Sequence, residues 1–150
     1  MNKKDGVTNN SEHFGEHFTI DGYLCDRDML DDRGNVLRAI SELPALLGMK
    51  KLSGAEVYYA KGNDMKDPGG WSGFVVIEES HVSVHTFPDA RFVSIDVYTC
   101  RNGLDRETIM KYFGTFFGIV EFETNFIVRG TRYPGLCKER VAELAAREGQ

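Results

Sequence analysis

The chain has 150 residues, 41% hydrophobic and 27% charged, the balance of one soluble globular domain; a collagenous, low-complexity or fully disordered chain is excluded. The 18 basic and 23 acidic residues give a formal charge of −5, without the basic excess that marks nucleic-acid binding, and suit a small cationic ligand better than a polyanion. No apolar run approaches the roughly 20 residues of a membrane-spanning helix, the Met1-Asn2-Lys3-Lys4 start lacks an apolar secretory core, and three cysteines without a CxxC pair argue against a disulfide framework or zinc site, so a cytoplasmic protein is expected.

Residues 1–15 are polar and predict a mobile arm. Residues 16–25 predict a strand, with Phe18, Ile20 and Gly22 facing one way and Thr19 and Asp21 the other. Asp31 and Asp32 open a helix that carries Val36, Leu37, Ile40, Leu43, Leu46 and Leu47 at helical spacing. Pro44 should kink or shorten its last turn, and Gly48 fits a stop. Residues 55–60 predict a second strand, and 61–71 a loop dense in Gly, Asp and Pro. Three strands over 73–78, 81–87 and 91–99 are separated by short turns, so a meander is expected. A second helix begins at Leu104 or Asp105 and carries Ile109, Met110, Phe113, Phe116 and Phe117. Residues 119–129 predict a last strand, 132–136 a turn, and 138–148 a charged helical tail.

This order predicts an α+β fold: a two-layer sandwich, an antiparallel sheet with two helices on one face, formed by residues 16–130 with a tail over 131–150. Val75, Ile77, Val82, Val84, Val93, Ile95 and Val97 look like more apolar strand positions than two helices cover. The second face is therefore expected to be buried on another copy of the chain, giving a four-layer αββα homodimer.

Reactive side chains are densest in Glu78-Glu79-Ser80-His81-Val82-Ser83-Val84-His85-Thr86-Phe87-Pro88-Asp89, followed by Asp96-Val97-Tyr98-Thr99-Cys100. From composition alone this is a hairpin with a polar solvent face. No metal site is expected, because His81 and His85 stand roughly 13 Å apart along one strand face. A Ser-His-carboxylate hydrolase would want a strand–elbow–helix around the serine, whereas strand propensity continues here.

The run resembles the prokaryotic S-adenosylmethionine decarboxylase proenzyme family. The resemblance rests on Glu79-Ser80-His81, His85-Thr86-Phe87-Pro88, Asp96-Val97-Tyr98-Thr99-Cys100 and the upstream Pro68-Gly69-Gly70-Trp71-Ser72-Gly73. It implies a precursor that cuts itself between Glu79 and Ser80 and carries a covalent pyruvoyl group derived from Ser80. It further implies that His85 assists the cut, that Ser72 lies among the processing residues, and that Cys100 donates a proton to the decarboxylated product. A thiol with an ordinary pKa near 8.5 is mostly protonated at neutral pH and suits that role. The chemistry matches these residue types: a serine hydroxyl can attack the preceding carbonyl, and a ketone can act as the electron sink for an α-amino acid losing its carboxylate.

The family's implied substrate is S-adenosylmethionine, a cation bearing an α-amino acid. The usual aromatic residue before the loop proline, which helps to hold adenine, is here Lys66. Trp71 is a candidate replacement ring, and His81 a candidate neighbour of the substrate. Because the processing machinery is better matched than the nucleoside pocket, arginine or ornithine is the competing substrate class, with Asp89, Glu78 and Glu16 as candidate carboxylates for its side chain. An unprocessed module that binds a small ligand or a partner chain is the alternative outside enzymology.

Overall fold

The computed structural model describes residues 13–150. Most of the expected arm lies outside the described residues, and its last residue, Gly15, already opens the first strand.

The strands are β1 (Gly15–Tyr23), β2 (Glu56–Ala60), β3 (Gly70–Ile77), β4 (Ser80–Phe87), β5 (Phe92–Thr99) and β6 (Glu121–Arg129). The helices are α1 (Arg27–Leu30), α2 (Arg33–Leu46), α3 (Arg106–Phe117) and α4 (Gly135–Glu148). The α+β expectation holds: every strand pair is antiparallel, and the order across the sheet is β2-β3-β4-β5-β1-β6. Thus β1, early in the chain, sits between β5 and β6.

Capping explains where the helices begin. The Asp32 and Asp105 carboxylates accept the amides of Asn35 and Thr108 at 3.0 and 3.1 Å, satisfying donors that each helix leaves free. Asp26 does the same for α1, a short helix that the hydrophobic spacing did not announce. Pro44 lies inside α2, which runs on to Leu46 before it ends. Gly118, at φ 60°, closes α3 in the left-handed conformation that glycine adopts without a Cβ penalty.

One face of the sheet packs on α2 and α3. Val36, Ala39, Ile40 and Leu43 of α2, with Ile109, Phe113 and Phe117 of α3, meet Phe18, Ile20, Val75, Val82, Val84, Val93, Ile95 and Val97 in one core. The surplus of apolar strand positions expected from the sequence is therefore not there. All seven side chains singled out, Ile77 included, are buried at 0–1% exposure. They alternate at intervals of two and occupy the same face. The opposite face carries His17, Thr19 and Asp21 of β1, Ser72 and Phe74 of β3, His81, Ser83 and His85 of β4, and Ser94, Asp96 and Tyr98 of β5.

β3 starts three residues earlier than expected, at Gly70. Gly69 and Gly70 have φ of 83° and 154°, and a Cβ on Gly70 would run into the Thr86 carbonyl, so only glycine lets the chain enter the sheet here. The consequence is that Trp71 and Ser72 are strand residues opposite Tyr59 and Tyr58 of β2. The tail is helical from Gly135, and no residue of α4 is buried.

Candidate active site

The β3–β4 turn holds Glu79, and β4 opens on Ser80, opposite Ile77 and Thr99. Ser80 has φ 148°, far from the ordinary regions for a residue with a side chain. Such conformations cost on the order of 1–3 kcal/mol and persist only where the surroundings impose them. Here the carbonyl on the other side of that peptide, that of Glu79, accepts the Cys100 amide at 2.8 Å. A peptide strained at its serine and held at its carbonyl is thus built at the junction that the motif singles out. Cys100 follows β5 directly and is exposed.

Ser72 and His85 stand opposite each other on β3 and β4, and Ser72 Oγ shares a hydrogen bond of 2.9 Å with His85 Nδ1. They are together, but not with Ser80. Ser80 and His85 are five positions apart along the strand, roughly 17 Å at the usual rise. The Glu79–Ser80–Cys100 group and the Ser72–His85 pair therefore sit at opposite ends of β4.

The expected substrate contacts fare differently. His81 lies next to Ser80 on the open face of the sheet, stacked on Phe74 (5.5 Å) and edge-on to Tyr98 (5.6 Å). Burial, and then the neighbouring His17, push its pKa below the usual histidine range. His17 is paired with Asp96 at 2.7 Å, and the Arg129 guanidinium lies over the Tyr98 ring at 4.9 Å. Trp71 is turned to the helix side, where it packs on the core and meets Tyr59 edge-on at 5.1 Å. That inward setting follows from its strand parity and removes it as a ring for the open face. Asp89 is engaged by Arg27 through Nε and Nη2 at 3.2 and 2.8 Å.

Glu78 pairs with Lys50 at 3.5 Å. Glu16 is 5% exposed and accepts the Gly103 and Leu104 amides at 3.0 and 2.8 Å, beneath the loop that follows Cys100. Burial works to raise its pKa, but those two amides and the His13 ring outweigh it and leave the pKa below the usual glutamate range. Of the three carboxylates considered for a basic side chain, Glu16 is buried under the loop amides, while Asp89 and Glu78 stand in exposed ion pairs with Arg27 and Lys50.

Beyond His85, at the end of β4, Phe87 and Phe92 stack at 5.5 Å and floor a cleft of about 360 Å³ with Lys66, Asp67, Pro68 and Ala90. Lys66 is at the rim of this apolar cleft. Sequence reasoning did not find Phe92, nor Arg101, whose Nε lies 3.5 Å from Glu79 Oε1. Neither carries a motif signal beyond standing near one. The other cysteines remain structural or peripheral: Cys25 is buried, which pushes its thiol up to about 11, and Cys137 is exposed. Among the described residues no helix is long and apolar enough to cross a membrane.

An open-faced α+β sandwich with a strained, carbonyl-pinned Glu-Ser junction describes a precursor organised to break its own chain. Comparison with known proteins agrees. The S-adenosylmethionine decarboxylase family model matches residues 16–130. A proenzyme of that name from Clostridium botulinum is 29% identical over 119 residues, 79% of this chain and 97% of the relative. One from Pyrococcus horikoshii is 34% identical over 98 residues, covering 65% and 66% of the two chains. The crystal structure of the adenosylmethionine decarboxylase from Aquifex aeolicus superposes with a TM-score of 0.67 at 25% identity, over 79% of this chain and 92% of that one. The chain belongs to the S-adenosylmethionine decarboxylase family.

Proposed function

We propose that the protein is a self-processing, pyruvoyl-dependent decarboxylase of S-adenosylmethionine, whose product serves polyamine (spermidine) synthesis in the cytoplasm. The observation that carries this reading is Ser80 at φ 148° with the preceding carbonyl on the Cys100 amide. These residues fit the making of the group. Ser80 Oγ adds to the Glu79 carbonyl carbon, and the hydroxyl proton passes to the Ser80 nitrogen as the C–N bond breaks, leaving an ester. Loss of the Ser80 α-proton to a base expels the Glu79 carboxylate and leaves a dehydroalanine. Addition of water and loss of ammonia then give a pyruvoyl cap at residue 80. The strain at Ser80 is released as the peptide is consumed, and the Cys100 amide faces the oxygen on which charge develops. Once formed, the pyruvoyl carbonyl supplies an electron sink for decarboxylation. Cys100 then returns a proton to the α-carbon.

The separation along β4 supports a homodimer. A two-fold axis between two open sheet faces, and across their strands, brings one copy's Phe87 end over the other's Ser80 end. Each Ser80–Cys100 group then meets the partner's Ser72–His85 hydrogen-bonded pair as base and the partner's Phe87–Phe92 cleft. Those rings offer the adenine a stacking surface that residue 66 does not. His81 lies in the same covered layer beside Ser80.

Lys66 favours a second reading. It leaves position 66 without the ring that would hold an adenine, and a basic amino acid carries no adenine to be held. Denaturing mass analysis of the purified protein tests the first step: fragments 1–79 and 80–150, the latter capped by pyruvoyl, are expected, and one intact chain defeats the reading. Carbon dioxide release from S-adenosylmethionine, arginine and ornithine in parallel tests the second. A tenfold preference in kcat/KM for either amino acid would reassign the substrate and leave the processing chemistry intact.

A further inference from the structure

Two successive residues hold the two acceptors of Glu79. The Cys100 amide holds its backbone carbonyl at 2.8 Å. The Arg101 guanidinium faces its side chain, with Nε 3.5 Å from Oε1. Arg101 is itself anchored at the far side, where Nη1 donates to the Leu47 carbonyl at 3.3 Å just past the end of α2. The Glu79 side chain is only 16% exposed, and its second oxygen, Oε2, is buried with no partner. Arg101 is the only cation among the described residues with an ion pair to Glu79; the nearby Lys50 is paired with Glu78.

This arrangement has an electrostatic consequence for the cut. As Ser80 Oγ bonds to the Glu79 carbonyl carbon, the carbonyl oxygen takes on negative charge. One residue's own shielded carboxylate stands beside it. When the ester later breaks, Glu79 leaves as a second carboxylate on the same residue, while the Ser80 α-proton goes to the base. A shielded negative charge opposes both events, because it is poorly screened by solvent. A fixed guanidinium offsets it.

We propose that Arg101 is a positioning residue for self-cleavage: it neutralises the Glu79 side chain and fixes it, so that the Glu79 carbonyl stays on the Cys100 amide while charge builds on it. The proposal rests on the self-cleavage reading. It assigns Arg101 no contact with the substrate.

The test follows the appearance of the two fragments with time in freshly made precursor. Arg101→Gln should split about tenfold or more slowly than the unmodified chain, and Arg101→Lys, which keeps the charge, should stay within a few-fold of it. The distinguishing measurement is the same substitution in a Glu79→Gln background. There the charge to be neutralised is gone, and adding Arg101→Gln should change the rate by less than about twofold. A merely structural role predicts the same loss in both backgrounds, and that result overturns the proposal. So does normal splitting by Arg101→Gln. A wild-type chain that never splits refutes the self-cleavage reading itself, a different signature. Melting of Ser80→Ala with and without Arg101→Gln should show a drop that disappears when Glu79→Gln is added, and a drop of equal size in both backgrounds would assign Arg101 to stability and overturn the proposal.

Discussion

Glu16→Gln is expected to weaken the fold beneath the active site by a calculable amount. The carboxylate accepts two loop amides, at 3.0 and 2.8 Å, in a setting only 5% exposed. Hydrogen bonds to a charged group contribute about 1.5–3 kcal/mol each. Glutamine keeps one carbonyl oxygen and turns an N–H₂ toward the other amide, so one bond is lost and a donor meets a donor. The expected cost is about 2–3 kcal/mol, or roughly 5–9 °C in melting temperature for a domain of this size. Denaturant and thermal melts in the Ser80→Ala background, which stays one chain, measure it. The pH dependence supplies the stricter check. The pKa of Glu16 is lowered on folding, so its charged form contributes stability above the unfolded value of about 4.3. That contribution is lost as the pH falls through the lower folded value. The gap between wild type and Glu16→Gln should therefore be full at pH 6–7 and shrink below about pH 4. A gap of the same size at pH 7 and at strongly acidic pH, or no gap at all, would refute the assignment of the loop's anchoring to this carboxylate.

Four more outcomes are expected. Cys100→Ala should still split into two fragments, because its amide remains, but decarboxylate about 10²–10⁴-fold more slowly, the usual worth of a general acid; normal turnover would remove the thiol from the reaction. Sedimentation at micromolar concentration should show a dimer. Co-expression of Ser80→Ala with His85→Ala should then restore cleavage of the His85→Ala chain, and a monomer or no restoration would end the two-copy site. Gly70→Ala should fail to fold or aggregate, since its methyl meets the Thr86 carbonyl; a soluble variant with a wild-type melting point would contradict that geometry. Asp89→Asn should leave KM for every candidate substrate within about twofold, because Asp89 already serves Arg27, and a large rise in KM would return it to the pocket.

The elements were legible wherever apolar residues recur at a fixed period, as in Val36, Ile40 and Leu43 of α2 or Val93, Ile95 and Val97 of β5. The residues proposed to react were legible only through a resemblance, because Glu79, Ser80, His85 and Cys100 stand at the offsets of the family pattern. What the sequence hid are the properties created by tertiary contact. The parity of Trp71 turned on whether β3 starts at Gly70 or Gly73, and two positive-φ glycines decided it. The same uncertainty in facing made seven core side chains look like two faces' worth. The loop-anchoring role of Glu16 depends on amides 87 and 88 residues away, and no local pattern announces it. Ser80 takes its conformation where the 78–79 turn meets the Cys100 amide, a long-range contact that no local pattern announces.

The position of β1 between β5 and β6 carries a last consequence. A break after Glu79 leaves β1, β2 and β3 in one fragment and β4, β5 and β6 in the other. The two pieces are interleaved: a strand of the first is hydrogen-bonded on both sides by strands of the second. They stay associated without a covalent link, as a single folded unit. Refolding is another matter. The precursor closes its sheet within one molecule, while the cut protein must recapture β1 from solution, a second-order event that slows with dilution. The mature form is therefore trapped by the barrier to unfolding rather than guarded by a reversible equilibrium. Denatured and diluted, it would regain its structure far less readily than the uncut Ser80→Ala chain.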